Sequence, residues 1–193
     1  MSQVPAHPSA CDRHQEVRIM SCDLRSLTAA DLVKFEGKGP EDWCTTGLIT
    51  QDQNHCAHFV CHAIGLKAGR PLCGDMQYKS RNTGVTIRVN DVFNYCTTEG
   101  FLDAGDSVPA IMAGISAFFV VATISGNLED AGGAIIMHDN PRKHIGIYIN
   151  GKVWNFSNRR HYVVCDTLDE FTTKMRKAYG STTRFLYAYR QDI

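Results

Sequence analysis

Residues 143–158, KHIGIYINGKVWNFSN, constrain this chain more than any other stretch, because they specify a β-hairpin together with its register. Asn150-Gly151 supplies the two positive-φ positions of a type I′ turn between runs of alternating residues. Placing Ile149 opposite Lys152 sets Gly146 against Asn155 and His144 against Ser157. His144, Gly146, Tyr148, Val153, Asn155 and Ser157 then share one face, and Ile145, Ile147, Ile149, Trp154 and Phe156 share the other. The second face reads as a core wall. On the first, Asn155 is the diagonal neighbour of His144, within side-chain reach.

Around this hairpin the apolar period changes along the chain. Thr28 is a candidate cap for a helix reaching Phe35 and ending at Gly37, and Asn54 is a candidate cap for HCAHFVCHAIGL, which stops at Gly65. In that second helix Cys56, Phe59, Val60 and Ala63 recur at helical spacing. A third helix is expected over 90–96. Beyond it, apolar segments at 116–124, 134–137, 144–149, 152–157 and 161–165 read as strands, followed by a helix over 168–179 and a closing strand over 184–190. Helices first and an antiparallel sheet afterwards is the α+β class. The 193 residues are one domain's worth of chain, with 1–20 a flexible N-terminal segment and 21–193 a single domain.

Charge and composition narrow the function. Twenty basic against twenty acidic residues leave no net charge to draw the chain to nucleic acid or anionic lipid. The apolar run 108–124 is interrupted by Pro109, Gly114, Ser116 and Thr123 and reads as a loop and a buried strand, so no stable membrane insertion is expected. The first twenty residues hold no signal-like apolar stretch, which points to synthesis in the cytoplasm. Most of the eight cysteines are therefore expected as free, buried thiols, and none of their spacings is CxxC.

Cys56 is the exception. Near the start of its helix it faces unpaired N–H groups and the positive end of the helix dipole, which lower a thiol pKa. A cysteine so placed, a histidine on a strand, and a polar residue on the same face of the next strand together match the needs of nucleophilic catalysis. The expected roles are Cys56 as nucleophile, His144 as general base and Asn155 as the group that fixes the imidazole. The Cys56 N–H would be one oxyanion donor; Gln51 and Gln53, just upstream, are candidates for a second. His138, in the loop-like HDNPRK, is the rival base. His58 and His62, four residues apart, could hold zinc, but no HExxH glutamate accompanies them, so an exposed or hydrogen-bonding pair is expected, with no metal and no cofactor.

Cys56 opening an amphipathic helix, followed about 90 residues later by HIGIYINGKVWNFSN, resembles the NlpC/P60 and CHAP cysteine peptidases and amidases. The resemblance implies a papain-like core, with Cys56, His144 and Asn155 in the catalytic roles. It covers 54–66 and 144–157. It also implies cleavage of an amide bond in bacterial peptidoglycan stem peptides. Without a signal peptide, such an enzyme looks like a type VI secretion amidase effector, exported to act in a periplasm and neutralised by an immunity protein. The phrase Cys-Ala-His-Phe-Val is also similar to the LRAT-like acyltransferases and phospholipases, in which histidine precedes cysteine. A cytosolic thiol hydrolase of peptide or acyl conjugates, or a binding module that kept the fold without the chemistry, are further alternatives.

Overall fold

The computed structural model of the chain describes residues 24–102 and 108–190, so the segment 1–20 lies outside the described residues. In chain order the elements are helices α1 (Ala29–Val33), α2 (Pro40–Trp43), α3 (Cys56–Ile64) and α4 (Val89–Tyr95), then strands β1 (Thr98–Phe101), β2 (Ala117–Ile124), β3 (Leu128–Asp130) and β4 (Ile135–Met137). Strands β5 (Lys143–Ile149), β6 (Lys152–Ser157) and β7 (Tyr162–Thr167), helix α5 (Leu168–Tyr179) and strand β8 (Thr183–Tyr189) follow. Six strands form one sheet in the order β1-β8-β2-β5-β6-β7 with antiparallel neighbours, and β3 and β4 form a separate ribbon. This is an α+β architecture.

The β5–β6 hairpin has the register that its turn demands. Asn150 and Gly151 take φ of 50° and 82°, and the pairs are Gly146 with Asn155, Ile147 with Trp154, Tyr148 with Val153 and Ile149 with Lys152. Ile145, Ile147, Ile149, Trp154 and Phe156 face the core under α3, where Phe59 and Val60 are fully buried. The opposite face is covered as well. Helix α5 lays Phe171 and Leu168 over Val153, Phe118 and Val120, which makes a second core. Strand β2, between β8 and β5, is buried on both sides: Ala117, Phe119 and Val121 point to the α3 layer, and Phe118, Val120 and Ala122 to the α5 layer. Each large apolar side chain so buried contributes roughly 1.5–3 kcal/mol.

Local signals terminate these elements. Thr28 caps α1 and Thr167 caps α5 in reciprocal capping boxes with Asp31 and Glu170, and Gly65 closes α3 in the left-handed conformation at φ 70°. The cap of α3 differs from the expected Asn54: His55 holds that position and Cys56 is the first helical residue. Asn54 still serves the helix end, accepting the Cys56 N–H through Oδ1 at 3.0 Å. Strand β1, sequence TEGF, has no strand signature of its own and exists by pairing with β8. Among the described residues, no helix is long and apolar enough to cross a membrane.

Candidate functional site

Cys56 sits where α3 meets the start of β5. Its thiol lies against the backbone N–H of Ile145, the residue after His144, and the Asn54 amide bonds the Lys143 carbonyl at 3.3 Å. The side chain is buried, and burial pushes its thiol up to about 11. N–H groups of Ile145, Ala57 and Cys56 and the Asn54 side chain pull the other way but are outweighed. The expected lowering by the helix end is thus present as a contribution and reversed in the total. The resting sulfur is a neutral thiol. Asn54, Cys56, Asn90 and Lys143 line a small cleft of about 210 Å³.

His144 and Asn155 are joined. His144 Nε2 lies 3.1 Å from Asn155 Oδ1, and Asn155 Nδ2 donates to Asp166 Oδ2 at 3.1 Å and to the Val153 carbonyl at 3.3 Å. Lys174 Nζ closes the chain on Asp166 Oδ1 at 2.5 Å. Two acceptors, a carboxylate and a carbonyl, fix which end of the Asn155 amide carries hydrogens. Its oxygen must then accept from His144, so Nε2 holds the imidazole proton and Nδ1 is the lone-pair nitrogen. Burial holds the His144 pKa below the ordinary histidine value, while the Asn155 bond and the Asp166 charge oppose that shift. His144 is 4% exposed, because β5 is an inner strand and α5 covers its face, with the Phe171 ring 5.8 Å away. His144, Asn155, Asp166, Lys174 and Tyr179 line a cleft of about 550 Å³.

The expected pair of Cys56 and His144 is only partly assembled. Cys56 belongs to the α3 layer, whereas His144 lies on the opposite, α5-covered face of the sheet; the two line different clefts, and no hydrogen bond joins the thiol to the imidazole among the described residues. The Cys56 N–H, expected as an oxyanion donor, is taken up by Asn54 Oδ1. Gln51 is exposed and Gln53 half-buried in the loop before α3. His138, the rival base, is exposed and paired with Glu129 at 3.0 Å. Sequence reasoning missed Asp166 and Lys174. The signal was there in YVVCD: with Asn155 opposite Val164, period two puts Asp166 opposite Val153 on the Asn155 face, a charge in an otherwise apolar row.

Of the exposed or hydrogen-bonding pair expected at His58 and His62, neither is exposed, and His58 hydrogen-bonds His55. His58 is fully buried, and Cys44 and Cys73 complete a four-residue cluster whose ligand atoms all lie within 4.8 Å of one another. No CxxC spacing marks it, because the set joins a cysteine after α2 and one at a 3-10 turn to two histidines of a single helix. Cys44, Cys56, Cys61, Cys73, Cys96 and Cys165 are free thiols.

Comparison of the chain with protein-family models, with curated proteins and with solved structures finds no match.

Proposed function

We propose that the protein is a cysteine-dependent amidohydrolase built on a papain-like core of the NlpC/P60 kind. In this reading Cys56 is the nucleophile, His144 the general base and then acid, and Asn155 the positioning residue. The observation that carries it is the His144–Asn155–Asp166 hydrogen-bond chain, which presents an imidazole in one tautomer with its Nδ1 lone pair free to take a proton. A thiol at a helix head, lying against the backbone N–H of the residue that follows that histidine, supports the same reading.

The steps follow from the proton positions. In this reading substrate binding draws the Cys56 thiol around the start of β5, from the α3 side of the sheet, to His144 Nδ1, which takes its proton, and the thiolate attacks the amide carbon. The Ile145 N–H and the head of α3 favour the sulfur anion as it forms. The developing oxyanion displaces Asn54 Oδ1 from the Cys56 N–H. The imidazolium, steadied through Asn155 by the Asp166 charge, gives its proton to the leaving amine. Water, deprotonated by His144, then cleaves the thioester. Ionisation coupled to the histidine suits a buried thiol that does not ionise by itself near neutral pH.

The substrate proposed is the peptide portion of peptidoglycan, reached in a periplasm through a specialised secretion system, with an immunity protein as the partner in the producing cell. Incubation with purified sacculi and mass spectrometry of the soluble products tests it. The intact chain should release peptide fragments carrying a new amine and a new carboxylate, while Cys56→Ala and His144→Ala should release none. Release that persists undiminished in Cys56→Ala would sink the assignment of the nucleophile.

A further inference from the structure

Cys44 follows α2, His58 and His62 lie one turn apart on α3, and Cys73 begins the short 3-10 turn Cys73–Met76. Two sulfurs and two imidazole nitrogens are the donor set of a structural zinc centre, and His-x₃-His is a common half of one. Cys73 Sγ and His62 Nε2 are already 3.8 Å apart, close to an edge of a tetrahedron with ordinary zinc bond lengths, about 3.3–3.8 Å. Since the widest separation in the cluster is 4.8 Å, shifts of about 1 Å would close it.

The hydrogen bonds around the cluster decide what His58 presents to it. His55 Nε2 is 2.8 Å from the Thr50 carbonyl, which can only accept, so that nitrogen carries the His55 proton. His55 Nδ1 is then bare and accepts from His58 Nδ1 at 2.9 Å. The opposite nitrogen, His58 Nε2, is buried with no hydrogen-bond partner. A ring N–H bound to an outer acceptor, with the opposite nitrogen bare, is how metal-bound histidines are held. The sulfurs are prepared too. The Val85 N–H donates to Cys73 Sγ at 3.3 Å, and Thr46 Oγ1 lies 3.1 Å from Cys44 Sγ. Gly84, at φ +85°, is needed here, since a Cβ would fall 2.1 Å from the Cys73 sulfur.

We propose that Cys44, His58, His62 and Cys73 bind one zinc ion in a closed tetrahedral site that staples the loops on either side of α3 to the helix headed by Cys56. The Thr50–His55–His58 relay orients one ligand. Binding displaces the thiol protons to solvent and leaves two thiolates balanced by the dication. All four positions are protein side chains, so the ion holds structure and leaves no place for a substrate. Residues 65–88 have little regular structure apart from the turn at Cys73, an isolated bridge between Leu72 and Thr86 and the cluster itself. A cross-link there reinforces a segment with few helices or strands, which otherwise joins the core through Leu66, Ala68, Cys73 and Val85. The inference does not depend on the hydrolase reading.

Metal analysis of the full chain, purified without chelators, tests it. The expected result is about one zinc per chain, kept in Cys56→Ala and in Cys96→Ser and lost in Cys44→Ser. Exchange for cobalt(II) should give the intense visible bands of a tetrahedral ion with thiolate charge transfer in the near ultraviolet. Because Cys44→Ser could fail to fold, His62→Gln at the half-exposed ligand and His55→Phe at the outer acceptor extend the series. His55→Phe, folded by circular dichroism, should weaken zinc by about ten- to a hundredfold. Folded wild-type chain that takes up no zinc, a cobalt spectrum without thiolate bands, or a Cys44–Cys73 disulfide in the purified protein would each overturn the proposal.

Discussion

Phe171→Ala separates the two faces of the sheet. Phe171 is fully buried on α5, its ring 5.8 Å from that of His144. A phenylalanine buries about 150–250 Å², which at about 25 cal/mol per Å² is worth about 4–6 kcal/mol. Alanine retains a part of that, so a loss of about 3–5 kcal/mol is expected, in line with large-to-small substitutions in other cores. The cavity also admits water beside His144, whose pKa is held down chiefly by burial. The folded value should therefore rise toward that of an unfolded histidine, about 6.5. In the wild type the unfolded chain takes up a proton near pH 6.5 that the buried ring refuses until lower pH. Native stability from this group is thus complete above about pH 6.5 and falls as the pH drops toward the folded value. In Phe171→Ala that acid-side loss should shrink. Urea unfolding followed by tryptophan fluorescence gives the first quantity, and an NMR titration of the His144 ring gives the second. Phe156→Ala, on the α3 face, should cost a similar amount and leave the His144 titration unmoved. A loss below about 1 kcal/mol in Phe171→Ala, or a His144 shift caused by Phe156→Ala instead, would refute the assignment of faces.

Two further substitutions probe the same chain of contacts. A methyl group on Gly146 would meet Val153 Cγ1 at 2.6 Å, the Trp154 carbonyl at 2.9 Å and Asn155 Cβ at 3.1 Å, so Gly146→Ala should cost about 1–3 kcal/mol and displace Asn155, read as a lower urea midpoint and a shifted His144 titration. Asn155→Ala should slow peptide release from sacculi by about ten- to a thousandfold, less than His144→Ala, whereas Ser157→Ala should leave the rate within about a factor of ten.

The sequence by itself determined whatever depends on neighbours in the chain. Asn150-Gly151 and the period-two alternation dictate the β5–β6 register, because a one-residue slip would turn Ile145, Ile147 and Phe156 out of the core. Helices at Cys56–Ile64 and Leu168–Tyr179 were legible from spacing, the first also from Gly65. From these, His144 and Asn155 could be put within reach of each other, and Cys56 at a helix head. Tertiary structure alone decided the environment of each. α5 folds back over the His144 face and takes a strand histidine out of water, and the same burial raises the Cys56 thiol against the pull of its helix end. It decided the direction of the Asn155 amide, since Asp166 and Lys174 come from β7 and α5. It also gathered Cys44 and Cys73, 29 positions apart in the chain, around two histidines of a single helix. Desolvation and the meeting of distant side chains depend on what packs against a residue, and no local period or spacing encodes that.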